Sequence, residues 1–229
     1  MTDSGPDVEA ASTIPAATVV LLRDADDGLE TLMLHRTSKV AFGGMWVFPG
    51  GRVEDGDRRP DDVDDEAAAR RAAVREAQEE CALTVHADDV VPFSHWTPPA
   101  LTPRRYATWF FLARASDGTV TVDGAEIHDH RWLAPREVLE RRDRGEVDLA
   151  PPTWVTLSDL ADLPSVDVAL AMAAARRPAP RYETRWSEVD DGAVALWFGD
   201  AGYEDGDVRA EGRRHRLWMT RSGWRYERD

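Results

Sequence analysis

The sequence predicts an α/β fold with a β-rich C-terminal extension. Three observations predict it. Two short β-prone runs flank a turn cluster near the N-terminus. The stretch from Glu66 to Cys81 is almost wholly Ala, Arg, Glu and Gln, with no Gly or Pro to interrupt it. After Pro178 and Pro180 the chain changes to short aromatic runs.

Residues 1–13 are polar, small and without periodicity, which reads as a disordered tail. Ala16 to Leu22 and Leu29 to Leu34 are β-prone and surround Asp24-Ala25-Asp26-Asp27-Gly28, a turn cluster that makes them a hairpin. Trp46-Val47-Phe48 is a third short strand, ended by Pro49-Gly50-Gly51. From Glu54 to Glu66, eight of thirteen residues are acids, the composition of a solvated loop, here an insertion. Glu66 to Cys81 forms a helix of about four turns, because its residues are strong helix formers. Tyr106 to Ala113 and Arg131 to Leu133 read as strands. Pro135 to Arg144 reads as a surface helix with proline in its first turn, and Trp154 to Arg176 as one or two helices. Tyr182 to Trp186, Val194 to Phe198, Arg216 to Thr220 and Gly223 to Tyr226 supply the terminal strands. The expected organisation is a main domain over 14–178 with an extension over 179–229 packed on it.

At 229 residues, 42% hydrophobic and with nine Trp, the chain can bury one substantial core. Its 43 acids against 28 bases give a formal charge of −15, which repels phosphate backbones and anionic membrane surfaces. Neither a nucleic acid nor a membrane is expected as partner, and an anionic substrate needs local cations. Cys81 is the only cysteine, so no internal disulfide forms. The first apolar run is too short to span a bilayer. A cytoplasmic location is expected.

Glu76, Glu79 and Glu80 stand at i, i+3 and i+4, which on a helix is one face. Three neighbouring carboxylates repel one another unless a divalent cation that prefers hard oxygen ligands sits among them. Arg75 is placed to orient one of these acids by a charge-assisted hydrogen bond. Upstream, Phe48-Pro49-Gly50-Gly51 lets backbone approach a metal or phosphate closely.

Together, Gly50-Gly51, a loop and Arg75-Glu76-x-x-Glu79-Glu80 resemble the Nudix box. That pattern is Gly, five residues, Glu, seven residues, Arg-Glu, an apolar residue, any residue, Glu-Glu, any residue, Gly, apolar. The match holds at Gly51, Arg75, Glu76, Glu79, Glu80 and Leu83. The loop before Arg75 is ten residues longer than the pattern, so counting back from Arg75 reaches Ala67 beside Glu66, not a structural Glu. Ala82 replaces the last Gly, and Ala77 is a small apolar residue. The resemblance runs from about Ala16 to Ala175. The run Arg36-Thr37-x6-Gly44-Met45-Trp46-Val47-Phe48-Pro49-Gly50-Gly51, with its acidic loop, looks most like the coenzyme A diphosphatase branch, although Ala41 and Phe42 stand where that branch has a basic residue.

The resemblance implies an α/β/α sandwich around a mixed sheet. It also implies Mg²⁺-dependent hydrolysis (with Mn²⁺ able to substitute) of a diphosphate bond in a small nucleotide derivative. Coenzyme A or acyl-coenzyme A comes first, then ADP-ribose, a reduced nicotinamide dinucleotide or a dinucleoside polyphosphate. Glu76, Glu79 and Glu80 would hold the metal with the Gly51 carbonyl. Arg75 would support them, and Glu79 or Glu126 would act as base. Arg36, Gly50, Arg104, Arg105 and Tyr106 are candidates for substrate contact, although Arg104-Arg105-Tyr106 is equally a charged strand entry. Cys81 reads as buried and inert, since neighbouring acids disfavour thiolate. His128 and His130 lack further ligands at zinc-like spacing. Trp46 either fills the core or stacks on a substrate ring. The extension extends the sheet, caps the cleft or forms a homodimer surface. A metabolite sensor is the rival reading, against which the complete acid set argues.

Overall fold

The computed structural model describes residues 12–37, 43–100, 102–122 and 124–229. Most of the expected N-terminal tail, and Ala41 and Phe42, lie outside them. The hairpin forms as β1 (Ile14–Ala25) and β2 (Gly28–Arg36), joined through Asp26, Asp27 and Gly28, whose φ of +119° suits a residue without Cβ. Next come β3 (Trp46–Val47), β4 (Gly50–Arg52) and a single 3₁₀ turn at Asp55–Asp57. Helix α1 (Asp65–Cys81) follows, then β5 (Val91–Thr97), β6 (Tyr106–Arg114), β7 (Ile127–Leu133), α2 (Pro135–Asp143), α3 (Pro151–Leu160), α4 (Val166–Ala175) and β8 (Arg181–Glu183). The chain ends in β9 (Arg185–Val189), β10 (Gly192–Leu196), β11 (His215–Thr220) and β12 (Gly223–Arg228).

The main sheet runs β3-β2-β1-β6-β5-β8, with β4 on β1 and β7 on β2. It is mixed: β1 pairs with β6, and β5 with β8, in parallel, and the other pairs are antiparallel. Side chains alternate across it. Ala17, Val19 and Leu21 of β1, with Trp109 and Phe111 of β6, face the layer containing α1. Val20, Leu22, Phe110 and Leu112 face the layer of α2, α3 and α4. The result is the expected α/β/α arrangement.

Helix α1 buries Ala68, Ala69, Ala72, Ala73, Ala77 and Cys81. Methyl-sized side chains let its axis lie close to the sheet, so its polar face reaches the strand ends. The Asp64 carboxylate caps the first turn by accepting from Glu66 and Ala67 N–H. At the other end Ala82 takes the left-handed conformation, φ +56°, and its N–H donates to the carbonyls of Ala77 and Gln78. Ala82 therefore adopts the geometry for which the family pattern uses Gly.

Strand β5 was not foreseen. It contains Pro92, and the ladder to β6 shifts register between Pro92 and Ser94, where a missing N–H is tolerated. The last four strands form a second, antiparallel sheet, β12-β11-β10-β9, while β8 extends the main sheet. Trp96 of β5 stacks on Tyr182 at 3.9 Å and meets Trp197 edge-on at 5.5 Å. Inside the extension, Arg216 and Asp200 form an ion pair at 2.5 Å with side chains 1% and 0% exposed. Asp200 also accepts from the N–H groups of Gly202 and His215, so the buried charge is fully bonded.

Candidate active site

The acids of α1 meet the Gly50-Gly51 strand from across the sheet. β4 pairs with β1 so that Gly51 lies opposite Ala17, and the bonds Val19 N–H to Pro49 O and Val53 N–H to Pro15 O flank that pair. In such a ladder Gly51 turns its peptide groups to β1, and Gly50 turns its own the other way. Accordingly, the Gly50 N–H donates to Glu80 Oε2 at 2.9 Å, and Arg36 Nη1 lies 3.5 Å from the Gly50 carbonyl. The carbonyl facing the acids is thus that of Gly50, where Gly51 was expected. Gly51 contributes by having no side chain: a Cβ there would stand 2.2 Å from Glu76 Oε1.

Two arginines hold the carboxylates. Arg75 Nη1 donates to Glu76 Oε1 and to Glu79 Oε2, both at 2.8 Å. Its Nη2 donates to the Arg52 carbonyl at 2.9 Å and to Asp57 Oδ2 at 3.1 Å. Arg75 Nε reaches Asp57 Oδ1 at 3.3 Å. Burial would ease proton loss from Arg75, but hydrogen bonds to Asp57 and Glu76 hold its pKa above the usual value. Arg36 Nη1 donates to Glu80 Oε1 at 3.2 Å and its Nη2 to Glu126. Glu126 is placed by the bond from Thr37 N–H to its carbonyl, 2.8 Å, just before β7.

Asp57 is the member that sequence reading missed. The acid-rich run reads as a solvated insertion, yet Asp57 is 6% exposed and clamps Arg75. Arg71, one turn earlier, bonds Asp62 at 2.5 Å and the Asp57 carbonyl at 2.6 Å, so the run is fastened to α1 by two arginines. A signal was available: counting forward from Gly51 across five residues lands on position 57, so the extra residues lie between Asp57 and α1.

Burial raises the pKa of Glu76, against the opposing pull of Arg75. Burial pushes Glu80 up to about 7, against the Gly50 N–H and Arg36. Desolvated acids of this kind favour a neutralising partner. Glu76, Glu80, Glu126 and the Gly50 carbonyl offer only hard oxygens, a donor set that suits Mg²⁺ or Mn²⁺. Among the described residues no three acidic, histidine or cysteine side chains stand close enough to hold an ion without rearrangement. Glu79 is swung onto Arg75, and Arg36 lies between Glu80 and Glu126. The donor set therefore fits a divalent cation in chemistry and in backbone placement, with the arginine contacts to be exchanged.

Tyr106 and Arg105 have partners outside this acid set. Tyr106 receives a bond from Arg52 Nη2 at 3.3 Å, beside β4. Arg105 turns to the Pro98 carbonyl, and Arg104 is exposed in the loop before β6. Trp46, 7% exposed, fills the core on the face away from α1. It is stacked by His35 at 5.0 Å and lines a cleft of about 380 Å³ with Asp129, Arg131 and Asp148. Cys81 is fully buried, donates to the Ala77 carbonyl, and burial pushes its thiol up to about 12. His128 packs against His35 at 4.5 Å. The second sheet packs its core side chains into the cluster on the face opposite α1. No helix among the described residues is long and apolar enough to cross a membrane.

A family model described as NUDIX domain matches residues 13–154. A Caenorhabditis elegans protein provisionally named nudix hydrolase 7 is 24% identical over 184 residues, which is 64% of this chain. The chain spans 61% of that relative's length. The crystal structure of a NUDIX hydrolase from Alicyclobacillus acidocaldarius has the same fold. It aligns at TM-score 0.61 and 23% identity, over 70% of this chain and 96% of the other. The NUDIX domain of Shewanella oneidensis NrtR, solved with ADP ribose, aligns at TM-score 0.49 and 20% identity over 69% and 96%.

Proposed function

The chain belongs to the NUDIX family, and from that premise we propose that it is a divalent-metal-dependent hydrolase of a diphosphate linkage in a small nucleotide derivative. The observation that carries this is the meeting of half-buried Glu76 and buried Glu80 with the Gly50-Gly51 backbone, with Glu126 joined to them through Arg36. Glu76, Glu80 and the Gly50 carbonyl hold the cation. A bound Mg²⁺ supplies charge neutralisation at the diphosphate oxygens and acidifies the attacking water. Arg75 fixes Glu76 and Glu79 by shared bonds from one nitrogen, and Asp57 fixes Arg75. Glu79 and Glu126 are the exposed acids of the set and are placed to take the proton of the attacking water. Gly50 lies against the diphosphate, Arg36 binds it, and Tyr106 borders the site through Arg52. Arg104 and Arg105 serve a longer substrate from the loop before β6.

The sequence from Arg36 to Gly51 supports coenzyme A or an acyl-coenzyme A as first choice, with ADP-ribose, a reduced nicotinamide dinucleotide and a dinucleoside tetraphosphate as alternatives. The test is hydrolysis of these compounds with Mg²⁺, with Mn²⁺ and with chelator, by the parent chain and by Glu79→Gln and Glu80→Gln. Turnover that needs the metal and falls at least about a hundredfold in Glu80→Gln is the expected result. A compound that binds and raises the melting temperature without turnover overturns the enzymatic reading in favour of a sensor.

A further inference from the structure

We infer that Arg36 is an exchangeable internal counter-ion, whose guanidinium and a divalent cation compete for the same oxygens and which, once displaced, turns to the substrate's diphosphate. This deepens the metal-dependent reading above and rests on it.

The two arginines of the site are bonded very differently. Arg75 has a partner for all three nitrogens, among them Asp57, Glu76, Glu79 and the Arg52 carbonyl. Its place is fixed from both the helix and the loop. Among the described residues the Arg36 guanidinium bonds only through its two terminal nitrogens, to Glu80, to Glu126 and, at the 3.5 Å limit, to the Gly50 carbonyl. Its Nε is buried and has no hydrogen-bond partner among the described residues. A buried donor left unpaired costs free energy, so this seat is less favourable than its count of acceptors suggests.

Each acceptor of Arg36 is also a hard-oxygen ligand for a divalent ion. Such an ion binds oxygens at about 2.0–2.6 Å, whereas the guanidinium stands 3.2 Å from Glu80 Oε1. Both cations cannot occupy the space between Glu80 and Glu126, and like charges at that range repel. Exchange therefore follows from competition. It lowers the apparent metal affinity by the fraction of molecules in which Arg36 is seated. The exchange also releases a planar two-pronged donor beside the metal, a shape that fits two phosphate oxygens at once. Arg36 ends β2, so only its side chain has to move.

The experiment titrates Mn²⁺ into the full chain, reading free Mn²⁺ by electron paramagnetic resonance, with methylenediphosphonate as the diphosphate probe. Arg36→Gln and Arg36→Met are compared with the parent, circular dichroism confirming that each folds. The expected result is Mn²⁺ binding about tenfold tighter in both variants, with the diphosphonate bound more weakly to their Mn²⁺-loaded forms than to the parent's. Mn²⁺ binding that is unchanged or weaker in both variants, with the parent binding normally, overturns the inference and makes Arg36 an orienting residue, leaving the metal reading intact. Absence of Mn²⁺ binding in the parent and both variants overturns both.

Discussion

Replacing Glu80 by Gln removes one carboxyl whose ionisation opposes folding when no metal is bound, and the effect can be worked from the structure. Burial lifts Glu80 from 4.5 to about 7, more than the Gly50 N–H and Arg36 lower it. Between those values the native state holds a proton that the unfolded chain has lost. Stability of the parent therefore falls as pH rises from 4.5 to about 7 and then levels off. At about 1.4 kcal/mol per pH unit, this contribution amounts to about 3 kcal/mol. Glu80→Gln lacks the proton and lacks the contribution. Whatever constant offset the amide introduces beside Arg36 cancels when two pH values are compared. The prediction is that the stability difference between variant and parent moves by about 3 kcal/mol in the variant's favour from about pH 4 to about pH 8. The assay is urea unfolding in chelator, followed by tryptophan fluorescence. A difference that is equal at both ends, or that moves towards the parent, refutes the argument. It would mean that Arg36 and the Gly50 N–H hold the carboxylate at or below its ordinary range.

Four further predictions follow from contacts already described. Gly51→Ala puts a methyl 2.2 Å from Glu76 Oε1, so hydrolysis should fall about a hundredfold with an unchanged circular dichroism spectrum; full activity would show that Glu76 tolerates displacement. Ala82→Gly relieves the left-handed φ of +56° at the end of α1 and should stabilise by about 1 kcal/mol, a gain that urea unfolding would contradict by showing none. Asp57→Asn weakens the clamp on Arg75 and should cost about 1–3 kcal/mol in the same measurement; a cost near zero would return the acid run to a passive loop. Arg216→Met strands Asp200 in the extension and should cost about 3–5 kcal/mol, read from the main unfolding transition. If only a separate, minor transition moves, the extension unfolds independently.

The sequence was most legible where local chemistry and tertiary placement agree. In α1, Ala and Arg favour the helix, the alanines bury on one side, and the register of Glu76, Glu79 and Glu80 survives whatever the rest does. It was least legible where tertiary contacts override composition. The acids from Glu54 onward look solvated because nothing local shows that Arg71 and Arg75 will draw Asp62 and Asp57 inward. Val91 to Thr97 draws no expectation from the sequence, and its Pro92 sits in a strand only through a register shift that no local signal shows. The facing of Gly50 and Gly51 depends on which peptide groups β1 occupies, a matter of ladder register. Arg36 and Glu126 are far apart in the chain, and only the pairing of β2 with β7 brings them together.

The packing of Trp96 against Tyr182 and Trp197 also sets a schedule for synthesis. Every acid from Asp57 to Glu126 leaves the ribosome before the residues that cover Trp96. The core on that side of the sheet cannot close until Trp197 and Leu217 have emerged. A chain stalled at residue 178 would carry a complete set of site residues with α2, α3 and α4 already on that face but Trp96 not yet covered by Tyr182 and Trp197, and would present that ring to chaperones or to another chain.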